Sequence, residues 1–244
     1  MRGLSATDVL AVWERGRGKR PVERALELLS AAFPEKPREE LERSPIGLRD
    51  TALLALREAT LGPRLEAVVQ CPGCRENLEL SLAASDIRVE SDSGAECPTE
   101  ALLQLGEYEL RLRPPNSVDL MAANCEGHLE EGSDALFRRC LISATRNGAP
   151  TDELTGEIVK AAGEKMTEVD PQTNVQLRVS CASCGHAYAV LFDIASFFWT
   201  EIEACAVRLL GEIHSLASAY GWTEREILAL SPLRRQVYLE AVRS

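Results

Sequence analysis

Two short cysteine turns, Cys71-Pro72-Gly73-Cys74 and Cys181-Ala182-Ser183-Cys184, constrain this chain more than any other feature. Two residues between cysteines let both sulfurs of a tight turn face one metal ion. A second such turn completes a tetrahedron of thiolates, a donor set that suits zinc. Each turn lies between alternating apolar runs. Val68 and Val69 lead into the first, and Leu78, Leu80 and Leu82 lead out. Val175, Leu177 and Val179 lead into the second, and Ala187, Ala189 and Leu191 lead out. That period of two predicts half-buried strands. Cys71, Cys74, Cys181 and Cys184 therefore read as the ligands of one structural Zn2+ between the knuckles of a zinc ribbon. Gly73 and Gly185 are expected to ease the two turns past the metal.

The halves of this ribbon are separated by more than a hundred residues, against about 15–20 in an ordinary ribbon. The intervening chain must leave and return at one end of the ribbon, and the expectation is a helical subdomain. A thioredoxin-like redox pair is the main alternative for a single CxxC. That motif belongs at the start of a helix after a strand, whereas both pairs here sit between strands. Four thiolates fill every zinc position, so no metal-bound water is available for catalysis and the metal is structural. His186 follows the second pair closely, but four cysteines already suffice as ligands.

The rest of the chain reads as mostly helical. Val9, Leu10, Val12 and Trp13 give one short apolar face, and Ala25, Leu26, Leu28, Leu29, Ala32 and Phe33 a second. The stretch PEKPREELERSP is a charged, proline-punctuated connector. A helix is expected from Leu48 to Thr60, stopping near Gly62-Pro63. Tyr108, Leu110 and Leu112 suggest a strand closed by Pro114-Pro115. Asn116 is a candidate cap for a helix from Val118, and helical patterns return around Ala135 to Ser143 and Gly156 to Met166. The longest helix pattern starts at Ile194, repeats its apolar residues in steps of three and four, and ends at Tyr220-Gly221. Thr223 with Glu226 and Ser231 with Pro232 mark two short helices after it. The boundaries expected are an N-terminal helical region 1–64, a split ribbon 65–193 with strands near 65–83 and 174–193, an inserted subdomain 84–173, and C-terminal helices 194–244. The fold class is α+β, mostly helical, with a central split ribbon of short antiparallel strands and a long C-terminal helix.

Composition narrows the function classes. The 244 residues carry 27 basic against 38 acidic side chains, a formal charge of -11. An acidic chain repels phosphate backbones, which argues against broad nucleic-acid binding. Asp8 and Glu14 interrupt the first apolar run, so neither a signal peptide nor a membrane span is expected. The expected compartment is the cytoplasm, where eight cysteines point to metal binding or buried thiols rather than disulfides. No nucleophile elbow, HExxH helix or phosphate loop is present. His128 and Cys125 fall in a loop-like stretch, His214 within the long helix, and Cys205 on that helix's apolar stripe; Cys97 and Cys140 have no evident partner. Arg234, Arg235 and Arg243 make the C-terminus locally basic, which suits a helix end. Trp222, Ile227, Leu228, Leu230, Val237, Tyr238 and Leu239 are many large apolar groups for two short helices. They either pack back on the long helix or leave a docking patch, with Trp222, Ile227, Leu230 and Tyr238 the candidate partner contacts.

Several segments together resemble a known family: PIGLRDTALLALRE (45–58), the CPGC turn with its following strand, and YELRLRPPNSVDLMAA (108–123). The densest stretch is DPQTNVQLRVSCASCGHAYAVLFDIASFFWTEIE, continuing to YGWTEREILALSPLRRQVYLEAV. The pattern resembles the baseplate hub assembly chaperones of T-even-like phages, which also occur in phage-tail-like contractile injection systems. The resemblance implies a non-catalytic assembly factor or structural component that binds baseplate, hub or spike proteins, in the cytoplasm or in an assembled tail particle. It carries over no catalytic residue, and the four cysteines only as metal ligands. The rival class is a zinc-ribbon adaptor for nucleic acid or the transcription machinery. Such ribbons display basic residues near the knuckles, whereas here Arg75 is offset by Glu76 and Glu79, and Arg178 by Asp193. A hydrolase with a hidden site is the third class.

Overall fold

A computed structural model describes residues 2–89, 100–123 and 129–243, with the side chains of 129–132 and 243 excepted. The fold class is the one expected: mostly helical, with short antiparallel strands and a long C-terminal helix. Helices α1 (Ala6–Gly16), α2 (Pro21–Ala32), α3 (Arg38–Arg43) and α4 (Ile46–Leu61) come first. The charged connector thus contains a short helix of its own, α3. Ser5 caps α1 by accepting from the Asp8 amide at 3.2 Å, while the Asp8 carboxylate accepts from the Ser5 amide at 2.9 Å.

Strands β1 (Arg64–Gln70) and β2 (Asn77–Ala83) form one antiparallel hairpin, with Val69 opposite Leu78. The short helix α5 (Ala84–Ile87) leaves it. The inserted chain then builds β3 (Ala101–Leu105), β4 (Tyr108–Leu112), α6 (Ser117–Ala123), α7 (Leu129–Cys140), β5 (Leu141–Arg146), β6 (Ala149–Pro150) and α8 (Gly156–Val169). This corrects the expectation of a helical insertion, because β3-β4-β5-β6 make a four-stranded antiparallel sheet. The apolar run at Leu141–Ser143, expected to continue a helix, is a strand. It pairs with β4, setting Ala144 opposite Leu110 and Ser143 opposite Arg111. Leu110, Leu112, Phe137, Ala144, Ile158 and Ala162 give this unit its own buried cluster.

A 3-10 turn (Pro171–Asn174) returns the chain to the second hairpin, β7 (Gln176–Ser180) with β8 (Ala187–Leu191). The return is fastened at α4. That helix begins after Pro45 without a side-chain cap of its own, and the buried Asp170 carboxylate accepts the Gly47 amide at 2.9 Å. Ile46 donates its amide to the Pro115 carbonyl at 3.0 Å, which ties the middle of the insertion to the same helix start. The outgoing limb meets the incoming one where the Val89 amide donates to Gln172 Oε1 at 2.8 Å.

Helix α9 (Ile194–Tyr220) is the spine. Asp193 caps it by accepting from the Ala195 amide at 2.9 Å, and Gly221 ends it in the left-handed conformation at φ 68°. Its Ile194, Phe198, Ile202 and Leu209 join Val12, Leu26, Leu29, Leu53, Leu54 and Leu56 in the main core. Burying a side chain of this size contributes about 1.5–3 kcal/mol. Both hairpins are rooted in that core by their bases: Leu65, Ala84 and Ile87 are buried in it, and Val175 and Leu177 pack against it. Helices α10 (Glu224–Ala229) and α11 (Pro232–Arg243) fold back on the end of α9. No helix among the described residues is long and apolar enough to cross a membrane.

Candidate metal centre

The two hairpins are separate two-stranded sheets, and a lone hairpin is marginal in water. Their tips meet at sulfur. The Sγ atoms of Cys71, Cys74, Cys181 and Cys184 lie within 4.8 Å of one another. Across the gap, Cys71 and Cys184 are 3.7 Å apart, and Cys74 and Cys181 3.6 Å. Four Zn–S bonds of about 2.3 Å at tetrahedral angles require sulfur separations of about 3.8 Å. The cluster therefore fits a tetrahedral metal ion, and its four cysteines could hold one. Cys71 and Cys181 are buried, while Cys74 and Cys184 face solvent.

The backbone repeats itself at the two tips. In the first, Cys71 donates its amide to the Glu76 carbonyl and accepts at its own carbonyl from the Arg75 amide, both at 2.8 Å. In the second, Cys181 donates to the His186 carbonyl and accepts from the Gly185 amide, both at 2.9 Å. The residue after each pair turns left-handed, Arg75 at φ 66° and Gly185 at φ 72°. Gly185 does what was expected of it. Gly73 does not take a positive φ; it makes room instead. A Cβ there would stand 3.3 Å from His186 Cβ and 3.6 Å from Cys184 Sγ.

Amides also point at sulfur. The Cys184 amide, with that of Ser183, donates to the Cys181 sulfur and holds its pKa down at about 7. The Glu76 amide donates to Cys74, but hydrogen bonding with Cys184 and the other thiols outweighs it and pushes Cys74 up to about 12. A cation that needs all four sulfurs as thiolates must displace whatever protons they hold.

Beside the cluster stand two residues of the second hairpin. His186 stacks on Tyr188, with ring centroids 5.8 Å apart and planes 18° apart. His186 is not one of the clustered ligands among the described residues. The Tyr188 hydroxyl is buried and has no hydrogen-bond partner among the described residues. Burial, and then the four cysteines, push its pKa above the ordinary phenol value. Sequence reading missed this residue because it took Ala187, Ala189 and Leu191 for the inward face of the strand; those three are exposed, and Tyr188 and Val190 turn inward instead.

The remaining candidates scatter. Cys205 is half-buried and packs against the main core, and Cys140 is buried where α7 meets β5. His214 is exposed on α9. Cys97, Cys125 and His128 lie outside the described residues. At the C-terminus, Ile227 is fully buried with Leu216 and Leu239, and Trp222 and Tyr238 pack against that cluster. Trp222 meets Tyr238 edge-on at 4.9 Å and stacks on Tyr220 at 4.7 Å. Leu230 is partly buried. The apolar groups left in solvent are others, chiefly Leu233 at 75% and Val237 at 56% exposure on α11. Arg235 is buried and bonded to Glu212 at 3.1 Å, so one member of the basic C-terminal group neutralises a carboxylate of α9.

No curated protein and no solved structure matches this chain. The family model described as T4 bacteriophage base plate protein matches residues 8–199, from the first helix through both hairpins into α9. Most of the chain lies within that match, and the chain belongs to the T4 bacteriophage base plate protein family.

Proposed function

We propose that this chain is a non-catalytic component or assembly chaperone of the baseplate hub in a phage-like contractile tail or injection system, braced by one structural zinc. The observation that carries the reading is the family match across 8–199. The cysteine cluster supports the metal half: four sulfurs within 4.8 Å of one another would fill a tetrahedral ion's positions and leave none for water, which suits bracing and not catalysis. In this reading Cys71, Cys74, Cys181 and Cys184 hold the zinc, and the ribbon joins the helical core to the inserted unit 84–173. Partners are baseplate, hub or spike proteins, met in the cytoplasm before the tail is complete. The docking face is the C-terminal one. Trp222, Leu230 and Tyr238 border it, Ile227 supports it from beneath, and the exposed Leu233 and Val237 stand on α11.

Mild affinity purification of the tagged chain from its host, followed by mass spectrometry, tests this. Recovery of hub or spike proteins, lost with Leu233→Asp and Val237→Asp while circular dichroism stays unchanged, is the expected result. Recovery of RNA polymerase or nucleic acid without tail proteins would overturn it.

A further inference from the structure

A zinc ion bound by four thiolates carries a net charge of about -2, and such a site needs hydrogen-bond donors around it. Backbone amides supply some of them, at Cys181, Cys74 and Cys184. A side-chain donor is also at hand. Tyr188 stands opposite Val179 in the second hairpin. Val179 and Cys181 share a face by strand alternation, so Tyr188 lies on the face that carries the sulfur. Its ring stacks on His186, and His186 in turn lies against Gly73 of the other tip. Its hydroxyl is buried without a partner among the described residues. Buried hydroxyls in folded proteins are almost always bonded, and one left alone asks for an acceptor.

Sulfur faces sulfur across the gap, at 3.6 and 3.7 Å. A bound ion takes all four as thiolates, and thiolates are hydrogen-bond acceptors. We propose that Tyr188 is a positioning residue of the metal centre, whose buried hydroxyl donates to a thiolate sulfur once the ion is bound. This rests on the reading of the four cysteines as a metal site.

The test is cobalt(II) and zinc loading of the full chain, wild type and Tyr188→Phe. Both proteins are expected to take up the metal and to show the tetrahedral thiolate cobalt spectrum. Losing a donor makes a thiolate easier to oxidise, so the sulfur-to-cobalt charge-transfer band should move to lower energy in the variant. A chelator should remove its zinc roughly tenfold faster. An unchanged band with a rate within twofold of wild type, in a variant of normal circular dichroism, overturns the proposal. Should the variant fail to fold, the tyrosine Raman doublet of the wild type with and without zinc decides. A shift toward the donor ratio on loading supports the proposal, and no shift overturns it. A wild type that gives no tetrahedral cobalt spectrum would remove the metal centre itself, and this inference with it.

Discussion

The two cysteine turns solve one geometric problem with different residues. Both close the same pair of backbone hydrogen bonds, and both need a left-handed residue just after the second cysteine. The second turn puts Gly185 there, at φ 72°, where no Cβ resists. The first puts Arg75 there, at φ 66°, which costs an L-residue about 1–2 kcal/mol. Its glycine sits two residues earlier instead, at Gly73, where the missing side chain admits His186 of the opposite tip. The second turn is thus relaxed in its own backbone. The first carries backbone strain and yields space to its partner, so it depends more on whatever holds the tips together. A metal ion shared by all four sulfurs is the natural candidate.

The largest effect should come from removing a ligand from both turns at once. Cys71→Ser with Cys181→Ser is expected to abolish stoichiometric zinc binding. Free zinc at about a thousand times its Kd stabilises the folded state by about 4 kcal/mol. Losing that should lower Tm by roughly 8–16 °C for a chain of this size. A variant that keeps its metal, or loses none of its stability, breaks the account of both turns.

Next comes pH. The depressed pKa of Cys181, about 7, favours its thiolate in the fold, and that preference is lost as pH falls through 7. Cys74, pushed up to about 12, keeps its proton until metal displaces it. Zinc titration in weak buffer at neutral pH should therefore release more than one proton per metal, and zinc affinity should fall steeply below pH 7. Affinity flat between pH 7.5 and 5.5 would contradict ligation by the four thiolates.

Single exchanges at the left-handed positions sharpen the comparison. Gly185→Ala should cost about 1 kcal/mol in thermal unfolding of the zinc-loaded protein. Arg75→Gly should stabilise it by up to about 0.5 kcal/mol, because relief of strain is partly offset by the greater freedom of glycine in the unfolded chain. The same sign for both would mean that the turns do not differ as described. Smaller still, Gly73→Ala should displace the His186 ring, seen as a shift of its imidazole resonances, with a loss below about 1 kcal/mol.

Much of this was legible in the sequence for local reasons. Spacing marked the cysteines, alternation marked their flanking strands, and a glycine marked the end of α9, at Gly221; the cap at its start, Asp193, was not read. Asn116 was also readable, and its side chain accepts the Asp119 amide at 3.0 Å. The misses were nonlocal. Leu141–Ser143 continues the apolar pattern of α7, and only pairing with β4, some thirty residues earlier in the chain, makes it a strand. Gly73 and Arg75 could not be told apart by residue type, because glycine advertises a positive φ that here falls on the arginine. At the C-terminus, size and polarity named most of the large apolar residues, though not Leu233, and did not give their destination. Ile227 went inward, and Leu233 and Val237 stayed in solvent.

The measurement that bears most directly on the account is X-ray absorption at the zinc edge of the full chain, purified under reducing conditions and loaded with one equivalent of metal. The account predicts four sulfur neighbours at about 2.3 Å and no nitrogen. A first shell that includes imidazole, or fewer than four sulfurs, or a protein that retains no zinc, would contradict it.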